Sequence, residues 1–456
     1  MLNRRAFLAG ATAMGAAVTL PARAANLSGI ETASIRGSLD AAELGMQPGT
    51  YDDQSKAFQD ILQKAADRDA PVYLPPGDYV VSNIILPRQL RMTGVPGASR
   101  IIYGGNGHLF LAEAADHLEL TGITLDGANR WMSDHVPALV AVRGARRLVV
   151  DNCTIIGSGK HALSLEAVAG RIERSEISGA ADAAIYSVQA SGLSIIGNTI
   201  SDCGNNGILV HRWQPGEDGT IVSGNRVSRI AARNGGTGPF GNGINVFRAG
   251  NVMVTDNAIS DCAFSAIRSN GGSNIQITGN NCLRSGETAV YSEFAYEGAL
   301  IAGNIVDGAA NGISMVNYNE GGRLAVCSGN LVRNLSTSGP YEADPPGFGV
   351  GITAEADTAV TGNVVENAPL FGLHLGWGPF LRNVTATGNI IRRAGTGIAV
   401  SVVEGAGAAV IADNVISETP NGAIRGHRWV DRVTHDLITG DTSGFRHLTV
   451  ERNRAG

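Results

Sequence analysis

Thr278-Gly279-Asn280-Asn281-Cys282-Leu283-Arg284-Ser285-Gly286-Glu287-Thr288-Ala289-Val290-Tyr291-Ser292-Glu293 is one copy of a unit that recurs from Leu148 to about Val433. Two marks define it. The first is a Gly-Asn or Asp-Asn pair with an apolar residue one or two places on. The Asn falls at 152, 198, 225, 257, 280, 304, 330, 363, 389 and 414, and Ser175 takes its place in the one unit that lacks it. Successive intervals are 23, 23, 27, 32, 23, 24, 26, 33, 26 and 25 residues. The second mark is Gly or Ala followed by a short alternating strand, as in Gly207-Ile208-Leu209-Val210, Gly243-Ile244-Asn245-Val246 and Gly312-Ile313-Ser314-Met315.

A period in the twenties with period-two strands and no helical pattern specifies a solenoid of stacked strands. The Leu-x-x-Leu-x-Leu frame of leucine-rich repeats is absent. Each unit has room for two or three short strands joined by tight turns. That is one coil of an all-β parallel β-helix, each strand pairing with its counterpart about 4.8 Å away. Asn in a turn tolerates left-handed backbone and bonds nearby main chain. Stacked Asn side chains are expected to form an internal ladder.

Composition agrees. The chain has 456 residues, and a repeat array of that length can grow as one unit. Its 61 Gly suit many turns, and 5% aromatics imply an aliphatic core. The formal charge is −6, and no Lys/Arg-rich run exists, which argues against a nucleic-acid partner. Asn3-Arg4-Arg5-Ala6-Phe7-Leu8, a short moderately apolar stretch and Ala22-Arg23-Ala24 read as a twin-arginine signal peptide over 1–24. Export to the periplasm or medium follows, with no stable membrane insertion after cleavage. Removing three Arg and no acid leaves 32 − 41 = −9, so an acidic polymer would need local basic residues. Five Cys (153, 203, 262, 282, 327) are an odd number, unsuited to a complete disulfide framework, and read as buried core thiols. No metal-ligand spacing appears. No cofactor is required; calcium is possible, but no residue pattern supports it.

Residues 25–47 read as a lead-in and 48–110 as an N-terminal cap. In the cap, Ala57, Phe58, Ile61, Leu62, Ala65 and Ala66 share a helical face that Asp52 or Asp53 can cap. Val72-Tyr73-Leu74-Pro75-Pro76-Gly77-Asp78-Tyr79 and a strand ending at Gly94 follow. The repeats span 111–433, and 434–456 reads as a C-terminal cap. The cap motifs resemble the N-terminal cap of the pectate-lyase superfamily, whose helix plugs the open end of the barrel. With the export signal and the repeats, the chain is similar to the twin-arginine-translocated repeat proteins. That resemblance implies a right-handed, single-stranded, pectin-lyase-like parallel β-helix, and it implies no settled activity. The paired Asp with Gly-His-Gly of polygalacturonases is absent, as are the calcium-binding Asp clusters of pectate lyases.

Chemistry is sought on the outer face of the Gly/Ala-Ile strands. With the Gly or Ala as position zero, positions one and three point inward and two and four outward. Position two presents Asn245, Arg268, Tyr291 and His374; position four presents Phe247, Asn270, Glu293 and Glu355. The gap from ladder Asn to strand, normally eight to ten residues, is 18 after Asn225 and 21 after Asn330. Two loops therefore bulge from one turn, four coils or about 19 Å apart. Segments 211–218, 294–297 and 317–320 enlarge the opposite turn. This frame suits a groove for an extended polymer.

The candidate catalytic set is Tyr291, Glu293, Arg268, His374 and Glu355. The candidate substrate contacts are Asn245, Phe247, Asn270, Tyr296, Tyr318 and Trp377. In a lyase, Arg268 and Asn245 would neutralise a uronate carboxylate, with Tyr291 or His374 moving protons. A Lys base is not expected, since Lys56, Lys64 and Lys160 are the only lysines and the first two belong to the cap helix. In a hydrolase, Glu293 and Glu355 would form the carboxylate pair, two coils or about 9.6 Å apart. His211 and His427 read as turn residues. The expectation is an exported β-helix acting on polysaccharide or a cell-envelope glycan as lyase or glycoside hydrolase. The alternatives are a non-catalytic glycan-binding scaffold and a sugar epimerase.

Overall fold

The computed structural model describes residues 37–440 and 442–456. The signal peptide and most of the lead-in lie outside the described residues. The rest is a parallel β-solenoid with three strand faces per coil, here called sheets A, B and C.

Sheet A is built from the Gly/Ala-Ile strands. Its inward ladder runs Ile208, Ile244, Ile267, Val290, Ile313, Ile352, Leu373, Ile398, Ile424 in unbroken register. Sheet B stacks Val222, Val254, Ile277, Ile301, Cys327 and Val360 in the same way. Sheet C stacks Val227, Ile259, Cys282, Val306, Val332 and Val365. All of these side chains are buried. Three aliphatic ladders meeting on one axis give a continuous core, and each coil buries its apolar face only against its neighbours. Gly or Ala opens each sheet A strand because adjacent coils nearly touch there: a Cβ on Gly312 would lie 2.3 Å from the carbonyl oxygen of Gly351.

The Asn side chains do form a ladder, at the turn between sheets B and C. The Asn280 backbone N–H and Nδ2 both donate to Asn304 Oδ1, each at 3.0 Å, and Nδ2 also donates to the Val254 carbonyl at 2.9 Å. The same pattern links Asn198 through Asn414. Two details differ from expectation. The left-handed residue is the one before the rung, such as Gly279 at φ +69° or Asp256 at φ +58°, while the rung Asn turns inward. The first unit is also displaced by one residue. Asn152 is the left-handed residue at φ +51°, and Cys153 occupies the rung, donating its N–H to Ser175 Oγ. The five cysteines are buried thiols.

The cap helix spans Ser55–Asp67 and buries Phe58, Ile61, Leu62 and Ala65. The Asp53 carboxylate accepts the Ser55 N–H at 2.9 Å, and Phe58 packs on Phe110 of sheet A at 6.2 Å. The lead-in joins the barrel, since Leu39–Asp40 pairs with Val72–Tyr73. The C-terminal segment is more than a cap. After an antiparallel ribbon, Asp431–Asp436 on Ile424–Arg428, the chain returns as Leu448–Glu451 in sheet B and Arg454–Ala455 in sheet C. Asn453 then supplies the last rung, accepting from Asn414 Nδ2 at 2.8 Å. No helix among the described residues is long and apolar enough to cross a membrane.

Candidate functional site

The outer rungs of sheet A place Leu209, Asn245, Arg268, Tyr291, Ser314, Thr353 and His374 side by side on successive coils. The loop from Ser336 to Gly349, the longer of the two insertions, folds over the C-terminal part of this row. Beneath it lies a pocket of about 270 Å³. Tyr291, Glu355, His374 and Trp377 line it, together with Glu287 and, from the loop, Tyr341 and Asp344. The loop is tied to the floor by Tyr341, whose hydroxyl donates to Glu287 Oε1 at 2.6 Å and whose ring packs between Phe264 and Phe348.

Glu355 sits at the sheet A to sheet B end of its strand, 6% exposed. Its Oε2 accepts the Tyr318 N–H at 2.7 Å. Burial pushes its carboxyl up to about 7, against the opposing pull of the Tyr318 and Asn317 backbone amides. Glu287 lies at the other end of sheet A, where burial raises its carboxyl and Arg268 opposes the rise. His374 is buried between Phe371 at 5.3 Å and Trp377 at 6.0 Å. Desolvation, with His427 nearby, lowers its imidazolium to about 3, so the ring is neutral at physiological pH. Burial raises the Tyr291 hydroxyl, and the Glu293 charge adds to the rise.

Other expected site residues fall elsewhere. Arg268 and Glu293 form a buried ion pair behind the pocket wall. Arg268 donates from Nε to Glu293 Oε1 at 2.6 Å and from Nη2 to Oε2 at 3.0 Å, and its Nη1 reaches Glu287 Oε2 at 3.4 Å. Asn270 adds a donor to Glu293 at 2.9 Å. The guanidinium expected to receive a uronate is thus occupied by two carboxylates. Glu293 does stand two coils from Glu355 in register, but it is held by Arg268 and Asn270 and does not line the pocket. Asn245 is buried between Leu209 and Arg268, and Phe247 packs on His211 at 5.6 Å, one coil before Asn270. Tyr296, expected in the groove, is fully buried in the core. Its turn is short, and the chain re-enters sheet B at Glu297, which carries the ring inward. Tyr318 contributes its backbone N–H to Glu355, while its ring lies under Arg382 at 4.2 Å. Of the turn histidines, His211 is pushed down to about 4 by burial, and His427 packs on Phe371 at 5.2 Å.

Larger hollows lie off sheet A, one of about 570 Å³ beside the cap helix and two along the repeats. Of these two, one of about 630 Å³ covers the outer face of sheet B around Leu300 and Val326. The other, of about 850 Å³, follows the corner of sheets C and A over Ala263 and Gly286. In the second, Arg284 is already paired with Asp261 at 2.6 Å. Neither gathers buried carboxyl groups as the sheet A pocket does.

A three-faced parallel solenoid with a capped end and a loop-covered cleft on one face defines a class, the parallel β-helix proteins. The family description "Right handed beta helix region" matches residues 115–238 and 216–381, and the chain belongs to that family. Residues 39–118 also match "Rhamnogalacturonase A/epimerase, pectate lyase-like", in agreement with the cap. No curated protein matches the chain. Among solved structures, it is similar to the N-terminal fragment of bacteriophage Phi29 gene product 12. That match has a TM-score of 0.58 at 14% identity, covering 85% of this chain and 68% of that one. It is also similar to the A-module of the Azotobacter vinelandii mannuronan C-5 epimerase AlgE6, with a TM-score of 0.51 at 14% identity, covering 91% and 99%. At such identities the likeness is one of fold.

Proposed function

We propose that the chain is an exported glycoside hydrolase acting on a neutral polysaccharide at the sheet A pocket. The observation that carries this reading is Glu355, a buried carboxyl with a pKa of about 7 that opens onto the pocket beside Tyr291 and His374. A carboxyl poised near neutrality is the proton donor a glycosidic leaving oxygen requires. In this reading Asp344 activates water, because its carboxylate has no hydrogen-bond or ion-pair partner among the described residues, whereas Glu287 is engaged by Arg268 and Tyr341. Tyr291 and Thr353 contact sugar hydroxyls, and Trp377 offers a ring face. The pocket lining includes three carboxyl groups and no Lys or Arg, which favours a neutral sugar over a uronate and disfavours the lyase and epimerase readings.

Export through the twin-arginine route is part of the proposal, supported by Arg4-Arg5 and Ala22-Arg23-Ala24. It carries the membership in twin-arginine-translocated repeat proteins that the sequence suggests. The test is a screen of the purified chain from Ala25 against neutral and acidic polysaccharides, reading reducing ends and unsaturated products separately. New reducing ends on a neutral polymer, reduced about 100-fold or more in Glu355→Gln, are expected. Unsaturated product from a uronate polymer would overturn the reading.

A further inference from the structure

The chain contains four Trp in 456 residues, and all four flank sheet A. Trp377 and Trp429 stand at the sheet A to sheet B edge near the C-terminal end, with ring centroids 5.2 Å apart. Trp377 lines the carboxyl pocket. The other two lie toward the N-terminal end, where the proposed chemistry makes no use of them. Trp131 projects from the turn between Thr124–Asp126 of sheet C and the sheet A strand that begins at Ala138, and it is 76% exposed. Trp213 projects from the opposite turn, just past His211, and is 54% exposed.

The floor between them is aromatic. His161, Tyr186, His211 and Phe247 form one continuous row of ring contacts across four coils, with centroids 5.1, 5.5 and 5.6 Å apart. The Arg248 guanidinium lies 4.7 Å over Phe247, and its Nη1 donates to the Trp213 carbonyl at 2.9 Å, which fixes the rim to the floor. The framing repeats that of the pocket. Residues 127–137 leave the same turn as the two insertions over 231–241 and 336–349. The sheet A strands that follow begin at Ala138, Asn242 and Val350. Four coils separate each from the next, so two bays of about 19 Å lie end to end on one face.

An exposed indole is a poor surface residue for a monomeric protein and a good platform for the C–H faces of a sugar ring. Two such platforms on opposite rims of an aromatic floor suit an extended glycan, and the cations beside them are already engaged, Arg248 by Phe247 and the Trp213 carbonyl, Lys160 by the Asp134 carbonyl and Arg212 by Asp218. We propose that the N-terminal half of sheet A is a second glycan-binding bay, in which Trp131 and Trp213 hold the polymer whose downstream units enter the carboxyl pocket. The bay binds and does not react, since Asp218, the carboxyl that burial perturbs in the Trp213 segment, is enclosed and held by Thr220 and Arg212. It rests on the hydrolase reading only for the identity of the ligand as a neutral glycan.

The experiment is a binding series on the full chain from Ala25, using neutral glucan and fructan oligosaccharides of two to twelve units and their parent polymers. Trp131→Ala, Trp213→Ala and Trp377→Ala are compared by calorimetry and intrinsic fluorescence, with circular dichroism to check folding. The first two residues are exposed, so their loss leaves the fold intact. Long ligands are expected to bind about tenfold more weakly to Trp131→Ala and to Trp213→Ala, with ligands of two or three units unaffected. Trp377→Ala is expected to weaken both. Long-ligand affinity that falls only in Trp377→Ala would overturn the second bay and leave the pocket reading standing. Failure of every neutral glycan to bind would overturn both.

Discussion

Arg268 and Glu293, on adjacent coils, face each other as a fork on a fork, with two hydrogen bonds of 2.6 and 3.0 Å, while the spare nitrogen of Arg268 reaches Glu287. All three groups are buried. Removing the cation therefore leaves two buried carboxylates without their counter-charge. Arg268→Met is expected to cost about 3–5 kcal/mol, read as a lower urea midpoint. The double variant Arg268→Met/Glu293→Leu should recover part of that loss. Strict additivity of the two single variants would show that the pair is not coupled.

Glu355 gives stability a pH dependence of unusual sign for a carboxyl. Its proton is held more tightly in the fold than in the unfolded chain, because burial lifts it to about 7. Its contribution is therefore fully present below the unfolded value and is lost as pH rises toward and past 7, by about 3 kcal/mol in all. Glu355→Gln should flatten that decline, which runs from about pH 4.5 to about 7. If the residue is the proton donor, hydrolysis in the wild type should fall as pH rises through about 7. A Glu355→Gln chain with the wild-type stability profile would remove the basis for that assignment.

His374 works in the opposite direction. The buried ring is neutral in the fold, with its imidazolium near 3, but charges freely in the unfolded chain. Stability is whole above the ordinary histidine value and declines as pH falls from about 6.5 toward 3. His374→Phe should unfold at lower pH than the wild type in an acid titration followed by circular dichroism. Identical acid midpoints would mean that the ring is hydrated.

An interior rung is expected to matter more than a terminal one. Asn280→Ala removes the acceptor for two donors of Asn257 and the donor to Val254 and Asn304, all buried. At about 1–3 kcal/mol per stranded group, a loss of at least 3 kcal/mol is expected. Asn453→Ala, at a partly exposed end, should cost about 1 kcal/mol. Thermal melts of the two variants check the ranking.

The coil was legible in the sequence because its two marks answer to separate physical needs. Gly312 or Ala289 opens a strand where coils touch, and Asn280 bonds three coils at once. Phase was harder to read. Asp151-Asn152-Cys153 imitates Asp256-Asn257-Ala258, yet Asn152 takes the left-handed place because either Asn or Asp tolerates it, and Cys153 moves onto the rung. Asn453 was hidden by the ribbon at 431–436, which stretches the spacing from Asn414 to 39 residues. At the site, the alternation rule put Tyr291 and His374 on the correct face, but it says nothing of pairing between coils. Alternation presents Arg268 and Glu293 as available groups, whereas in the fold they pair with each other. Glu287 precedes the strand and Asp344 lies in a loop, so no periodicity marks either. Only the length of the Asn330 insertion signalled where they would meet. Tyr296 ends a turn of only three residues, Phe294 to Tyr296, and the chain enters sheet B directly after it, which turns the ring inward.

The rungs of the Asn spine all point one way. Each passes two donors forward to the next coil, while its oxygen is covered by the two donors of the coil before. A coil laid down without its successor keeps a backbone N–H and an amide hydrogen unmet, while a coil without its predecessor lacks only donors to its oxygen and one carbonyl partner. The rod is therefore asymmetric in how it tolerates cutting, since an orphaned buried N–H is rarer and costlier than an under-used acceptor. It also gives each newly added coil the same reward in the order in which a ribosome delivers them, so growth from the cap toward Asn453 closes open bonds at every step.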